Sequence, residues 1–269
     1  MTNRIALPLT VFLASFLSCA ATAQRAQPNP KLQIISGLPI VDCVYINGKG
    51  PFRFLLDTGE QSNEMDPDLA RKLGIEITFQ TELDTPAGAS RVPGATASLV
   101  SVGNVDAANQ EFLITNREAL RSLSPDIRGT IGQQFLSKFN YTLDFRHHRV
   151  VFEDPAPAVG TRVAFRLVAG CMVVTTDLGD LMLDSGTDSL FLFHASPRVT
   201  SAVLSTSNGN IAVALDHAAS LRVGGKVYYP STAAYHPVAD APAAGLMPAS
   251  LFHTIYVSNS DHYLVFDPN

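Results

Sequence analysis

Phe52, Phe54 and Leu56 recur at every second position just before Asp57, and Leu181 and Leu183 do the same before Asp184. A period of two predicts strands with one buried face. Upstream of the first aspartate, VYINGKGPFRFLLDTG reads as a strand, an Asn47-Gly48 turn and a second strand; MVVTTDLGDLMLDSG reads as the same hairpin with a shorter turn. The likeness continues along the chain. LVSVGN (Leu99 to Asn104) corresponds to SLRVGG (Ser220 to Gly225), each followed by a segment able to return as a strand. The closing units agree as well: GTIGQQFLSKFNYTLDFRHHRVVFED starts at Gly129 and GLMPASLFHTIYVSNSDHYLVFDPN at Gly245. Each ends in a strand, a polar turn and a last strand, Arg149 to Glu153 and Tyr263 to Asp267. The chain therefore reads as a repeat of two unequal halves.

Helical periodicity is scarce. Asp66-Pro67-Asp68 before LARKLG combines an N-cap, a proline at the first helical position, basic residues in the last turn and Gly74 as a stop, which predicts one short helix. Ser196-Pro197 predicts a shorter counterpart, and QQFLSKF after Gly132 a helical turn. The fold expected is mostly β, two pseudo-symmetric lobes with few short helices. DPAPAVG (Asp154 to Gly160) is the natural link between them. The boundaries expected are a leader at 1–23, a linker at 24–31, a first lobe at 32–154, an inter-lobe link at 155–161 and a second lobe at 162–269.

The leader rests on Arg4, an apolar stretch from Ile5 to Leu17 and the small residues Ala21-Thr22-Ala23, the pattern cut by signal peptidase. It predicts an exported protein, periplasmic or secreted, with a mature chain starting near Gln24. The stretch is short and broken by Pro8, and no other run reaches the roughly 18 apolar residues of a membrane span, so no stable membrane insertion is expected. Cys19 follows Phe16-Leu17-Ser18, a poor lipoprotein box, and lipid anchoring is the weaker reading. Beyond the leader, Cys43 and Cys171 remain, too few for a disulfide scaffold. They lie 14 and 13 residues before their aspartates, in matching places of the two halves, and are read either as two buried thiols or as a bridge. Charged residues make up 16% of the chain and the net charge is −5, with basic residues scattered rather than striped. Nucleic acid and anionic membranes are thereby disfavoured as partners.

The most informative chemistry lies at Asp57-Thr58-Gly59 and Asp184-Ser185-Gly186-Thr187. With LLDTG, LMLDSGT and the later Thr130-Ile131-Gly132, the sequence resembles the pepsin and retropepsin superfamily of aspartic proteases from about residue 32 to 268. The LDTG and GTIGQQFL wording is more similar to compact bacterial retropepsin-like relatives than to the larger digestive pepsins. In the second half Leu246-Met247 is followed by Pro248 where the family has glycine, so the equivalence there is looser.

The resemblance implies an aspartic endopeptidase in which Asp57 and Asp184 activate a water without metal or cofactor. Two neighbouring carboxyls cannot both ionise, so one serves as base and its partner as acid; the handling of such pairs as a unit is well established for this protease class. The resemblance further implies that Thr58 and Ser185 hydrogen-bond across to the opposite lobe, that Gly59 and Gly186 let the backbone turn sharply and bring N–H groups to the carboxylates, and that Thr187 bonds to Asp184. Glu60 departs from the family, which has Ser, Thr or Ala there; a third carboxyl would raise the apparent pKa of the pair or face solvent. Asp188 is expected to point elsewhere by strand alternation. A flap over the substrate would come from the turn-rich stretch between Asp84 and Thr96, which has no tyrosine, with Ser207 to Asn210 as its second-half match.

The expected partner is a polypeptide in extended conformation, bound by a monomer that holds both aspartates in one chain. The competing reading is a catalytically inactive module that binds extended peptides by backbone hydrogen bonds. The seven histidines show no HExxH or repeated metal spacing, and His147-His148 reads as an exposed turn. No GxSxG elbow is present, and neither Cys43 nor Cys171 begins a helix, so serine and cysteine nucleophiles are disfavoured.

Overall fold

The computed structural model describes residues 29–85, 88–116, 118–196, 201–206, 209–216 and 220–267. The expected leader, Cys19 and the start of the expected 24–31 linker lie outside them, as do Pro197 and most of the short helix expected there. Among the described residues no helix is long and apolar enough to cross a membrane. The protein is mostly β, with three short helices and one 3-10 turn among the described residues.

Each half builds one eight-stranded sheet, the first between Leu32 and Ile131, the second between Arg166 and Pro248. The opening hairpin of the first half pairs Leu38–Ile46 with Lys49–Leu56 around Asn47 and Gly48, both at positive φ as a type I′ turn requires. In the second half Cys171–Thr176 pairs with Gly179–Asp184 around Asp177-Leu178. Both loops have two residues. The first hairpin is longer because its strands are longer, nine and eight residues against six and six, and its two register shifts, between Val41 and Val44 and between Val44 and Ile46, cancel each other.

That extra strand length also undoes the apparent match of the cysteines. Extending the pairing of Ile40 with Leu55 by two residues sets Leu38 opposite Asp57, whereas extending Val173 with Met182 sets Cys171 opposite Asp184. Leu38, not Cys43, occupies the place of Cys171. Both thiols are free: Cys43 is half-buried, with burial pushing its pKa up to about 11, and Cys171 is buried.

Each aspartate-bearing strand then pairs in parallel with a later strand of its own half, Lys49–Leu56 with Ile127–Ile131 and Gly179–Asp184 with Gly245–Pro248. That later strand in turn pairs antiparallel with a short strand just beyond the aspartate, Asn63–Met65 or Leu190–Leu192. The topology is the same twice. The expected helix is present at Pro67–Leu73, with Asp66 accepting from Leu69 N at 2.7 Å and Gly74 in the left-handed region.

The closing strands do not stay in separate lobes. Arg149–Phe152, Tyr141–Asp144, Thr254–Ser258, Tyr263–Phe266 and Thr161–Ala164 form one five-stranded sheet, in that order. The halves meet where Leu143 faces Ile255 and Tyr141 faces Val257. Both pairs belong to the main apolar core, which runs without a break from Leu32 to Phe266. Long-range pairing of this kind leaves no trace in local periodicity. The loop at His147 is exposed as expected, its ring held at 2.8 Å from the buried Asp144 carboxylate.

Candidate active site

The parallel pairing of Leu56 with Ile131 carries the first strand to Asp57, whose N–H donates to the Ile131 carbonyl at 2.9 Å. In the second half Asp184 pairs with Pro248. Both aspartates thus stand at the ends of buried strands, at 7% and 8% exposure, where the two halves face each other.

Thr58 and Ser185 interlock across that junction. The Thr58 hydroxyl donates to the Leu183 carbonyl at 2.9 Å and accepts from Ser185 N–H at 3.0 Å. The Ser185 hydroxyl donates to the Leu56 carbonyl at 2.7 Å and accepts from Thr58 N–H at 2.9 Å. Each hydroxyl uses one donor and one acceptor, and both residues are fully buried or nearly so. Four buried hydrogen bonds between the halves fix the separation of the neighbouring carboxyls.

The glycines matter for clearance more than for backbone freedom. Neither Gly59 nor Gly186 has a positive φ. A Cβ on Gly59 would lie 2.4 Å from Asp184 Cγ, and one on Gly186 would lie 2.1 Å from Asp57 Oδ2. Each glycine leaves room for the opposite carboxyl. Their N–H groups donate back to their own aspartates, Gly59 to Asp57 Oδ1 at 3.0 Å and Gly186 to Asp184 Oδ1 at 2.6 Å.

The two carboxyls are hydrogen-bonded to each other. Burial first, and then the charge of Asp57, hold the Asp184 carboxyl well above the usual carboxylate range, while the Gly186 N–H partly offsets them. One proton is therefore retained by the pair at a pH where an ordinary aspartate has lost its own.

The pair opens onto a groove of about 1520 Å³ lined by both halves. Glu60 lines it, half-buried, and adds to the upward shift of Asp184. The Thr187 hydroxyl is engaged with Ser189, donating to its carbonyl at 3.2 Å, rather than with Asp184. Asp188 lies on the groove wall, because residues 185–189 bend and strand alternation does not apply to them. The hairpin expected as a flap is longer than its turn-rich sequence suggests: Ile77–Thr85 pairs with Gly88–Val102, straight through Pro93 and Gly94. Phe79 to Glu82 on its first strand line the groove. The second half contributes Leu204 and Ile211 from its own hairpin, Ser201–Thr206 with Gly209–Asp216; Ser207 and Asn208 lie outside the described residues.

Sequence reasoning missed the residues that back the first turn. Gln133, 2% exposed, donates from Nε2 to the Thr58 carbonyl at 2.8 Å and from its backbone to the Glu60 carbonyl at 2.8 Å. Asn63, fully buried, accepts from Gly132 N–H at 3.1 Å. Gly132 is required by packing, since a Cβ there would lie 2.3 Å from the Ser62 carbonyl oxygen. Cys171 reaches the groove as well, its thiol 3.4 Å from the Gly59 carbonyl; burial first, and then the charges of Glu60, Asp57 and Asp184, push its pKa up. A buried, protonated thiol is a poor nucleophile. The signal for Gln133 was in view as a polar residue directly after Ile131-Gly132, but a glutamine in a predicted helical turn gives no hint of its partner.

A family model described as aspartyl protease matches residues 43–135, which takes in Asp57-Thr58-Gly59, the flap hairpin and the Gly132-Gln133 support. That stretch of the chain is similar to the aspartyl protease family. The match ends before the second half, whose Asp184 is joined to the matched stretch by the repeated topology and the cross-half hydrogen bonds. No curated protein matches the chain.

Proposed function

We propose that the protein is an aspartic endopeptidase acting on extended polypeptides, with Asp57 and Asp184 as the catalytic pair. The single observation that carries this reading is the mutual clearance of two buried, hydrogen-bonded carboxyls, each seated over the other half's glycine. A water held between them would lose a proton to the ionised carboxylate as its oxygen attacks the scissile carbonyl carbon. The protonated partner would give its proton to the carbonyl oxygen, forming a neutral gem-diol. Collapse then breaks the C–N bond, with the proton taken from water delivered to the leaving amine and one gem-diol hydroxyl proton returned to the carboxylate that had protonated the carbonyl oxygen. Thr58 and Ser185 act as positioning residues, Gly59 and Gly186 as the space that admits the opposite carboxyl, and Glu60 as a charge that keeps one proton on the pair. The groove length, its two hairpin walls and the presence of both aspartates in one chain favour an extended peptide cut by a monomer. Export with removal of residues 1–23 accompanies this reading, on the strength of the leader pattern.

The test is cleavage of a denatured polypeptide by the purified mature protein across acidic to neutral pH. Cleavage that Asp57→Asn and Asp184→Asn each abolish supports the assignment. Tight peptide binding with no cleavage at any pH would instead establish the inactive binding module.

A further inference from the structure

We propose that Tyr141 is a positioning residue for the reaction, aiming the Gln133 side chain at the turn that holds Asp57, an inference that rests on the peptidase reading. The links are consecutive. Gln133 Nε2 donates to the Thr58 carbonyl at 2.8 Å, and the N–H of that same peptide group, on Gly59, donates to Asp57 Oδ1 at 3.0 Å. A donor on the carbonyl end of a peptide polarises its N–H, so the two bonds strengthen each other. The Gln133 amide therefore acts on the carboxylate without touching it. Its counterpart in the second half is Ala249, two residues after Met247 as Gln133 is two after Ile131, and a methyl group has nothing to donate.

Something must aim the amide in turn. The Tyr141 side chain meets that of Gln133 at the loose end of hydrogen-bonding geometry: within ordinary bond limits neither the Tyr141 hydroxyl nor Gln133 Oε1 has any other partner among the described residues. Both residues are buried, at 0% and 2% exposure. The two atoms match in kind, since an amide oxygen only accepts, while burial pushes the Tyr141 pKa up and keeps its proton in place. Buried polar atoms with no other outlet are costly to separate. Tyr141 is itself anchored by the sheet that joins the halves, where it faces Val257, and by its ring, 6.0 Å from that of Phe152. The second half adds another hold on the same turn, the Cys171 thiol donating to the Gly59 carbonyl at 3.4 Å. The setting of the first aspartate turn thus depends on the central sheet.

The test is steady-state cleavage of one peptide substrate by wild type, Tyr141→Phe, Gln133→Leu and the double variant, with a thermal melt of each. Tyr141→Phe keeps the ring against Phe152 and removes only the hydroxyl, so the fold is retained. It should lower kcat about fivefold, the scale of one buried hydrogen bond, at nearly unchanged KM. Added to Gln133→Leu it should change kcat by less than about twofold, because the amide it aims is gone. Val257→Ala is the control. It loosens the same point of the sheet and should lower the melting temperature at least as far as Tyr141→Phe, with kcat within about twofold of wild type. A wild-type kcat in Tyr141→Phe, or a loss repeated in full on the Gln133→Leu background, overturns the role of Tyr141 and leaves the peptidase reading standing. A kcat loss matched by Val257→Ala overturns it as well, since any loosening of the sheet would then suffice. A wild type that cuts no peptide overturns both.

Discussion

The two halves hold the same tripeptide on the same topology but support it by different means. Behind Asp57-Thr58-Gly59 stands a buried polar set, in which Gln133 donates to Thr58 and Glu60 and Asn63 receives Gly132 N–H. Behind Asp184-Ser185-Gly186 stands Pro248, which has no N–H to give, followed by Ala249 in the core. Thr187 and Ser189 satisfy each other locally. What the halves share is confined to the atoms that must meet: the carboxyls, the hydroxyls and the glycines under them. Everything one shell further out has diverged. A duplicated scaffold can therefore keep a symmetric centre while its surroundings specialise.

The sharpest way to break this contrast is to crowd the shared centre. Gly186→Ala and Gly59→Ala each place a Cβ inside the opposite carboxyl's space, and each should lower kcat/KM by about a hundredfold, the scale of an ångström-sized misplacement of reacting groups. Equal losses from the two sides would confirm a symmetric centre, whereas a loss confined to one side would refute it.

Next in size is the interlock. Thr58→Ala removes a hydroxyl that donates to Leu183 and accepts from Ser185, leaving buried partners unmatched. Urea denaturation should show a loss of about 2 kcal/mol, and Ser185→Ala a similar one. Gln133→Leu tests the divergent shell instead. It should cost about 1–2 kcal/mol by stranding the Thr58 carbonyl, with a drop in kcat at nearly unchanged KM, while Ala249→Gly on the other side should leave kcat alone.

Charge gives the smallest effects and the clearest signs. Glu60 raises the Asp184 carboxyl, so Glu60→Gln lowers the upper pKa of the pair. The alkaline limb of the kcat/KM profile should then move to lower pH, by about one unit or less. Stability should respond the other way. A carboxyl whose pKa is raised on folding stabilises the fold least at pH above that raised value, because there it must be ionised in a buried place. Asp184→Asn should therefore raise the melting temperature at neutral pH, and this gain should fade as pH falls toward the ordinary aspartate range, where the wild-type carboxyl is protonated in both states. A variant destabilised at neutral pH would contradict the assigned shift.

Much of this molecule was legible before any coordinates. The two aspartate turns, their hairpins, the Asp66-capped helix and the closing strands all declare themselves within about a dozen residues, because each rests on alternation, a cap or a turn. What stayed hidden depends on contacts between distant segments. The shared central sheet joins Tyr141–Asp144 to Thr254–Ser258, more than a hundred residues on. The length of the flap hairpin was hidden by the turn-rich wording between Asp84 and Thr96, yet Gly94 serves the strand by making room for the Phe79 ring, which a Cβ would approach to 2.1 Å. Counting back from the aspartates equated Cys43 with Cys171, and only the strand pairing, in a first hairpin with longer arms, sets Leu38 in that place. Gly59 and Gly186 do bring their N–H groups to the carboxylates, as expected, but that is only part of their role. Their necessity lies in a carboxyl arriving from the other half, which no local pattern reveals.

The claim beneath all of this is that one carboxyl from each half shares a proton with the other. Infrared difference titration of the purified protein follows that proton through the carboxyl C=O band. The account predicts one protonated carboxyl persisting well above the usual aspartate range, titrating at lower pH after Asp57→Asn and absent after Asp184→Asn. Two aspartates that ionise together in the ordinary range, indifferent to each other's replacement, would contradict it.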